Sequence, residues 1–455
     1  MTGRVHFVGI GGAGMSVVAE LVLARGMPVS GSDARESAAL ERLRALGAEV
    51  WVGHDPAHVK GAAQLVVSSA VREDNPEVAA ARAAGIEVVH RSTALAQAAA
   101  GLDVVAVAGA HGKTTTSAML AVALQAAGTD PSFAIGGTVL ALGTGAHLGQ
   151  GSAFVAEADE SDGSFLRYAP RVGVVTNIEP DHLDHYGSAE AFEAAFVEFA
   201  GTIRPGGLLV ACSDDPGAAR LAASAARAGV RVQTYGTSEG ADISLTIREL
   251  GPAGSSAVLH GPDGDVELVL AVPGEHNVRN AAAAWCAGVA LGVDGATMAR
   301  ALGTFEGTAR RFQDRGTVAG VRVVDDYAHN PTKVGAAVAT GRRAAGDGRL
   351  IVLFQPHLYS RTIDFAAEFA ESLRSADEVV LTAIYGAREA PRPGVSSTLI
   401  TDRLPGSRYV PERVEAAETA AGLARPGDLV MTIGAGDVTE LAGVILASLE
   451  ARERS

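Results

Sequence analysis

The feature that most constrains the fold of this chain is the stretch VVAVAGAHGKTTT, residues 104–116. Its β-branched apolar run predicts a buried strand, and the glycines after it predict a tight loop that opens a helix. Backbone N–H groups of such a loop bind phosphate, Lys113 can reach the outer phosphates, and the Thr114 hydroxyl can ligate Mg²⁺. The motif is the shorter G-x-x-G-K-T form, because Val107 stands where the strict pattern has a glycine. The sequence therefore predicts a nucleoside-triphosphate site formed by Gly109, Ala110, His111, Gly112, Lys113, Thr114 and Thr115.

Length and composition limit the number of domains and the kinds of partner that this chain can have. A chain of 455 residues is expected to form about three domains. The net charge of −15 argues against a nucleic-acid partner, although loops and helix ends can still bind small anions. Only two cysteines are present, which excludes a disulfide framework and favours a cytoplasmic location. No apolar segment reaches the ~18 residues of a membrane span, so we expect no membrane partner.

The first block, residues 1–101, opens with a glycine-rich loop. Residues 5–10 predict a buried strand, residues 9–14 read GIGGAG ahead of a helical stretch, and a second strand ends at Asp33. This order of strand, loop, helix, strand and acid is typical of a Rossmann domain, in which the helix N-terminus faces a pyrophosphate. The loop predicts a phosphate-bearing ligand but does not identify it.

The second block, residues 102–307, carries two acid-rich clusters, EADESD and NIEPDHLDH, each directly after a predicted strand. Ligands of parallel α/β sheets bind at the carboxyl ends of the strands. We therefore expect Glu157 and His182 to lie near Thr114. Carboxylate and hydroxyl oxygens suit Mg²⁺, whereas histidine is a less usual ligand for it. These three residues form the predicted metal site.

The third block, residues 308–455, contains four predicted strands that each end in polar residues. The segments that follow them are DDYAHNP, PHLYSR, a stretch with Tyr385 and Glu389, and GAGD. Any single segment is compatible with an ordinary solvated loop. Four at strand ends favour a ligand cleft in this block.

Short motifs occur along the whole chain in a recognisable order. HFVGIGGAGMS comes first, followed by GSD, GH and SSA in the first block. GAHGKTTT, EADESD, TNIEPDHLDHY, PGEHNVRNAAAA, FEGTARRFQ, VDDYAHNP and FQPHLYSRT then follow. This ordered set resembles the Mur ligase family of the peptidoglycan pathway. The resemblance implies a three-domain α/β fold with an N-terminal Rossmann-like domain, a central P-loop ATPase-like domain with a parallel sheet, and a C-terminal Rossmann-like domain.

The resemblance also implies a reaction in which ATP and Mg²⁺ serve to join a carboxylate to an amine. Within the family, the sequence most resembles the branch that adds L-alanine to UDP-N-acetylmuramate. The substrate carboxylate would attack the γ-phosphate to give an acyl phosphate and ADP, and the alanine amine would then displace phosphate. Such a reaction asks the protein mainly for positioning and charge neutralisation.

Family motifs assign roles to individual positions of this chain. Lys113, Thr114, Glu157 and His182 match the phosphate and magnesium positions, and Asn277 and Asn280 match the adenine side. Arg311 and Asp326 match positions that reach ATP from the third domain. The L-alanine pocket is matched by Tyr327, His329, His357 and Arg361. Arg361 suits the carboxylate of alanine, and His329 is a candidate base for its amine.

The resemblance also implies a ligand for the glycine loop of the first block. This loop matches the family's site for the pyrophosphate of a UDP-sugar, rather than a nicotinamide site. The expected UDP-sugar contacts are Gly11, Gly12, Asp33, His54 and Ser69.

Three departures from the family pattern are visible. Leu358 stands where an arginine is common, and Asn330 and Lys333 replace residues that are usual in the alanine pocket. Residues 186–199 contain no lysine, so the carbamylated lysine of many relatives is missing. The alanine-adding branch lacks that lysine as well, so its absence favours this branch.

Other functions remain open from the sequence alone. One is the murein-recycling ligase that attaches a tripeptide to the same nucleotide sugar. An NAD(P)-dependent dehydrogenase would use the GIGGAG loop but would leave the phosphate loop without a role. A non-enzymatic ATP switch would leave the polar segments of the third block idle. The sequence is compatible with a monomer or a homodimer.

Overall fold

Three sheets with flanking helices make up this computed structural model, which describes residues 3–179, 183–251, 254–387 and 389–454. The chain divides into two compact units. The first unit holds the first two sheets, and the second runs from Gly307 onward, with the short segments Leu250–Ser255 and Val272–Gly274 added. Among the described residues, no helix combines the length and the apolar character needed to cross a bilayer.

The first sheet has five parallel strands in the order β3-β2-β1-β4-β5. Strand order reverses between β1 and β4, which is where open α/β sheets bind ligands. Its strands are β1 Arg4–Val8, β2 Val29–Asp33, β3 Glu49–Val52, β4 Ala62–Val67 and β5 Glu87–His90. Its helices are α1 Ala13–Ala24, α2 Ala38–Ala45, α3 Pro76–Ala83 and α4 Arg91–Ala98.

The second sheet has ten strands in the order β15-β14-β13-β12-β11-β10-β6-β9-β7-β8. The strands from β12 to β7 pair in parallel, whereas β8 pairs antiparallel to β7 at the edge. Its strands are β6 Asp103–Ala108, β7 Ser132–Val139, β8 Thr144–His147, β9 Ala153–Glu157, β10 Val172–Val175, β11 Leu208–Cys212, β12 Arg231–Gly236, β13 Ile243–Leu250, β14 Ser255–Gly261 and β15 Gly264–Leu270. The helices of this part are α5 Lys113–Ala126, α6 Leu183–Tyr186, α7 Ala189–Gly201, α8 Pro216–Arg227, α9 Glu275–Ala290 and α10 Gly295–Leu302.

The third sheet has six strands in the order β16-β17-β21-β18-β19-β20, and only its edge strand β16 runs antiparallel to its neighbour. Both faces are covered, since alternate residues such as Val323 and Val324 belong to separate apolar clusters. Its strands are β16 Gln313–Val318, β17 Val321–Asp326, β18 Leu350–Phe354, β19 Glu378–Leu381, β20 Arg408–Tyr409 and β21 Leu429–Ile433. Its helices are α11 Pro331–Ala345, α12 Tyr359–Asp364, α13 Ala366–Leu373, α14 Thr398–Thr401, α15 Arg413–Leu423 and α16 Leu441–Glu453.

The predicted three-domain α/β class is confirmed, and the structure adds two details. The strand predicted ahead of the stretch with Tyr385 and Glu389 is found at Glu378–Leu381. In the central sheet the edge strand β8 runs antiparallel to its neighbour, and the strands β13, β14 and β15 at the other edge were not predicted from the sequence. The domain limits at residues 101 and 307 stay predictions.

Candidate active site

The phosphate loop lies between β6 and α5, as its sequence predicts. Gly109 and Gly112 adopt φ values of +135° and +83°, a region that favours glycine. Gly112 is the N-cap of α5, so the first N–H groups of that helix face the loop. A Cβ on Gly109 would lie 2.2 Å from the Thr176 hydroxyl, so a larger residue could not enter this turn without moving β10.

Side chains that follow β10 fix the shape of this loop. The Thr176 hydroxyl donates to the His111 carbonyl at 2.6 Å, and the His111 amide donates to the Asn177 side-chain oxygen at 2.9 Å. The His111 ring lies 3.0 Å from a Glu179 carboxylate oxygen. His111 belongs to the predicted loop, but its three partners were not predicted, although all of them stand at the end of a predicted strand.

Lys113 is held between a carbonyl and a buried carboxylate. Its Nζ donates to the Gly109 carbonyl and to Glu160 Oε1, both at 2.7 Å. Burial alone would lower the pKa of Lys113, but the charges of Glu160 and Asp159 outweigh it and raise that pKa. The lysine therefore stays charged beside the loop, where a phosphate would meet it.

Thr114 and Glu157 lie together, as predicted for two metal ligands. The Thr114 hydroxyl donates to Glu157 Oε1 at 2.8 Å, and the other carboxylate oxygen accepts from the Gly136 amide at 2.8 Å. A hydroxyl and a carboxylate oxygen this close fit the all-oxygen ligation of Mg²⁺. Within the described residues no group of three His, Cys, Asp or Glu side chains is placed to hold a metal ion. His182, the third predicted ligand, lies outside the described residues.

Asn280 contacts the phosphate loop from helix α9. A Cβ on Gly112 would lie 2.6 Å from the Asn280 side-chain oxygen, so only glycine leaves room for this amide. Asn277 lies one turn earlier on the same helix and is also buried. Of the two residues expected on the adenine side, Asn280 thus lies next to the predicted nucleotide loop, and Asn277 lies one helical turn from Asn280.

The glycine loop of the first sheet is closed by Asp33. One Asp33 carboxylate oxygen accepts from the Gly11 amide at 2.9 Å, and Gly12 is the N-cap of α1. Ser69 lies away from this pair, where its hydroxyl donates to Asp162 of the second sheet at 3.1 Å. Of the predicted UDP-sugar contacts, Gly11, Gly12 and Asp33 therefore lie together at the glycine loop, and Ser69 lies apart from them.

His54 belongs to a polar cluster that the sequence did not predict. Its Nδ1 lies 2.8 Å from the Ser32 hydroxyl and 3.3 Å from Glu77, whose carboxylate is fully buried. His58 also contacts Glu77, at 2.7 Å, and His6 lies 3.6 Å from it. Burial alone would raise the pKa of Glu77, but the hydrogen bonds of His6, Ser32 and His58 lower it to about 2.

We expect Glu77→Gln to reduce the free energy of unfolding at pH 7 by about 3 kcal/mol, since a pKa shift of one unit corresponds to about 1.4 kcal/mol. The folded pKa, about 2, lies below the ordinary value of 4.5. The contribution is therefore complete above pH 4.5 and is lost as the pH falls towards 2. Unfolding can be followed by the fluorescence of Trp51, which stacks on His58 with ring centroids 4.2 Å apart, in a Trp285→Phe background.

The control for this prediction is Glu36→Gln, which removes an exposed carboxylate paired with Arg44. We expect it to leave the free energy of unfolding nearly unchanged, because an exposed ion pair contributes little to stability. A stability difference between wild type and Glu77→Gln that stays constant from pH 7 to pH 3 would contradict the charge network.

In the second unit, Asp326 organises the residues around it. One of its oxygens accepts from the Phe312 amide and the other from the Ala328 amide, each at 2.8 Å. Burial raises the pKa of Asp326, and the charge of Arg311 opposes this rise. The Arg311 guanidinium lies 5.3 Å from the Tyr327 ring centroid. The predicted ATP contacts Arg311 and Asp326 are therefore neighbours of Tyr327, which is predicted to contact L-alanine.

The four residues predicted for the alanine pocket are also close together. The His329 ring packs edge-on against Tyr327 at 5.3 Å and against His357 at 5.9 Å. Arg361 Nη1 donates to the His329 carbonyl at 3.5 Å. The predicted alanine pocket thus has the guanidinium of Arg361 and the imidazoles of His329 and His357 at the carboxyl ends of β17 and β18.

The His329 ring has a defined proton position. Its Nδ1 lies 2.9 Å from the Tyr327 carbonyl oxygen, which can only accept, so Nδ1 carries the proton. Burial, together with the charge of Lys333, holds the pKa of His329 well below its usual range. The ring is therefore neutral near pH 7, with a lone pair on Nε2.

The structure shows the local backbone setting of Asn330 and Leu358, two of the positions that depart from the family pattern. Asn330 is the N-cap of α11, where its side-chain oxygen accepts from the Lys333 amide at 2.9 Å. Leu358 has a φ of +70°, which is costly for a residue other than glycine. This strained backbone lies directly between His357 and the helix that carries Arg361.

Three family models together cover most of the chain. The model described as Mur ligase family, catalytic domain, matches residues 4–102, the Mur ligase middle domain matches 107–288, and the Mur ligase, glutamate ligase domain, matches 310–436. The chain belongs to the Mur ligase family. Mur ligases use ATP.

Individual relatives are similar over nearly their whole length. A UDP-N-acetylmuramate–L-alanine ligase of Kineococcus radiotolerans is 58% identical over 99% of this chain and 97% of its own. The enzyme of the same name from Renibacterium salmoninarum is 54% identical over 98% of this chain and 96% of its own. The crystal structure of the UDP-N-acetylmuramate–alanine ligase of Thermotoga maritima aligns with a TM-score of 0.84 at 28% identity, over 99% of this chain and 100% of that one.

Proposed function

We propose that this protein is an ATP-dependent ligase that joins L-alanine to the lactyl carboxylate of UDP-N-acetylmuramate. The observation that carries the proposal is the phosphate loop, where charged Lys113 and the Thr114–Glu157 oxygen pair meet the first turn of one helix. The similarity to ligases of that name over the full chain supports the choice of substrates. We further propose that it works in the cytoplasm, as a monomer or homodimer.

In the first step a lactyl carboxylate oxygen attacks the γ-phosphorus of ATP, and ADP leaves. Lys113 and the N–H groups of the loop would neutralise the charge on the transferring phosphoryl group. Thr114 and Glu157 would hold Mg²⁺, together with His182 as the resemblance implies, and the ion would add positive charge at the phosphates when bound. The residues proposed to face the nucleotide sugar are Gly11, Gly12, Asp33, His54 and Ser69.

In the second step the amine of alanine attacks the acyl carbon, phosphate leaves and the nitrogen loses a proton. Arg361 would pair with the carboxylate of alanine, because a guanidinium can bind both of its oxygens. His329 would take the proton at Nε2, which the Tyr327 contact leaves free of hydrogen. Tyr327 and His357 would limit the size of the amino acid.

A direct assay tests the proposed substrates. The protein is mixed with ATP, Mg²⁺, UDP-N-acetylmuramate and either L-alanine or the tripeptide of the recycling reaction, and phosphate release is measured. We expect release with L-alanine and little with the tripeptide. Release with the tripeptide alone would replace the proposal with the recycling ligase, and hydride transfer to NAD(P) without phosphate release would replace both.

A further inference from the structure

Glu77 is the centre of a buried polar cluster that none of the proposed ligand contacts explains. Its Oε1 accepts from His58 at 2.7 Å and from the Asp55 amide at 3.3 Å. Its Oε2 accepts from the Ser32 hydroxyl and lies 3.3 Å from His54 Nδ1. Four groups from two separate segments thus converge on one carboxylate, and the place of Glu77 in the first turn of helix α3 does not explain this convergence.

These contacts fix where the protons are. Glu77 is ionised at neutral pH because its pKa is about 2, so it can only accept hydrogen bonds. The Ser32 hydroxyl gives its proton to Glu77, and its oxygen, 2.8 Å from His54 Nδ1, therefore accepts from that nitrogen. Nδ1 of His54 carries a proton, and in the neutral ring Nε2 keeps a lone pair.

The position of His54 on the sheet indicates which part of a nucleotide it can reach. The strands lie in the order β3-β2-β1, with the glycine loop after β1, Asp33 at the end of β2 and His54 just after β3. In Rossmann domains the pyrophosphate lies at the loop after β1 and the ribose at the acid that ends β2. The next position along this edge, beyond the ribose, belongs to the base.

We propose that Ser32 and Glu77 are positioning residues that hold His54 as the Nδ1–H tautomer, so that Nε2 accepts a hydrogen bond from N3–H of the uracil base. This inference rests on the proposed use of a UDP-sugar. Uracil carries a proton at N3 and cytosine does not, so the fixed tautomer would select uridine nucleotides. A site built to bond a donor rejects ligands that lack it, because its own polar group is left unpaired.

The first measurement compares two probes on the full-length protein, UDP and N3-methyl-UDP, by calorimetry. We expect wild type to bind UDP about 10- to 100-fold more tightly, the size of a lost hydrogen bond in a partly buried site. His54→Asn, which keeps a donor near Nδ1 but has no group at Nε2, is expected to bind the two probes within about threefold. His54→Gln restores an amide near Nε2 and should recover part of the preference.

The second measurement tests the positioning role. Glu77→Asp keeps the charge but withdraws the carboxylate from Ser32, so we expect the preference for UDP to fall several-fold while kcat at saturating substrate is unchanged. His58→Gln is the matched control, because it removes a contact of the same carboxylate on the side away from His54. It should leave the preference intact. ¹⁵N NMR of the wild-type protein should show that Nδ1 of His54 carries a proton and that Nε2 carries none.

The outcomes separate the two proposals. Wild-type protein that binds neither UDP nor UDP-N-acetylmuramate would overturn the proposed function. Equal binding of UDP and N3-methyl-UDP by wild type, or a proton on His54 Nε2, would overturn the tautomer assignment alone. If Glu77→Asp fails to fold, the wild-type spectrum and the two His54 variants still decide the tautomer assignment.

Discussion

Lys113→Ala is expected to lower kcat by about 10³-fold or more, the range seen when one charged group is removed from a transferring phosphoryl group. Lys113 Nζ is the ammonium that the structure places 2.7 Å from the phosphate loop carbonyl of Gly109. It would face the γ-phosphate as negative charge shifts during transfer. The measurement is steady-state phosphate release at saturating ATP, UDP-N-acetylmuramate and L-alanine.

Loss of Lys113 also leaves the buried carboxylate of Glu160 without its partner, which can cost about 3–5 kcal/mol of stability. The double variant Lys113→Ala with Glu160→Gln removes that unpaired charge. We expect it to be more stable than the single variant and equally inactive. Lys60→Ala, on an exposed lysine, serves as the control for loss of a lysine in general. Turnover of the double variant within about threefold of wild type would contradict the role of the phosphate loop.

Arg361→Ala is expected to lower kcat/KM for L-alanine by about 10²- to 10³-fold, because a charge-assisted pair with a carboxylate is worth about 2–5 kcal/mol when one partner is removed. Binding of UDP-N-acetylmuramate and of ATP should be unchanged, since the proposed contacts of both ligands lie on other residues. The measurement is KM and kcat for L-alanine at saturating levels of the other two substrates.

Two further variants sharpen the Arg361 prediction. Arg361→Lys keeps the charge but loses the two-pronged geometry, so we expect an intermediate loss. Arg374→Ala removes an arginine of the same unit that is paired with Glu371 at the surface, and it should behave as wild type. A KM for L-alanine that Arg361→Ala leaves unchanged would place the amino-acid carboxylate elsewhere.

Much of the fold could be predicted because its central strands are short apolar runs closed by glycines or acids. The run VVAVAG before the phosphate loop is an example, and the structure has β6 at Asp103–Ala108. The edge strands β13 to β15 were not predicted. Residues 243–250 alternate only partly between buried and exposed positions, and two charged side chains, Arg248 and Glu249, interrupt the pattern.

Some contacts of the candidate site could likewise be predicted from the sequence, and others could not. Contacts between residues near in sequence, such as that of Lys113 Nζ with the Gly109 carbonyl, follow from the motif. Glu77 stands in the first turn of a helix, where an acid is expected for its effect on the helix dipole, so nothing local marks it as a network centre. Its partners on β1, β2 and the segment after β3 converge on it only when the sheet forms. Lys113 and Glu160 likewise meet across 47 positions of sequence.

The most direct test of the proposed reaction follows the oxygen atoms of the lactyl carboxylate. UDP-N-acetylmuramate labelled with ¹⁸O in both carboxylate oxygens is incubated with the protein, ATP, Mg²⁺ and L-alanine, and the products are analysed by mass spectrometry. An acyl phosphate route predicts one ¹⁸O in each phosphate released and one retained in the new amide. Label in AMP with release of pyrophosphate, or unlabelled phosphate beside the amide product, would contradict the account.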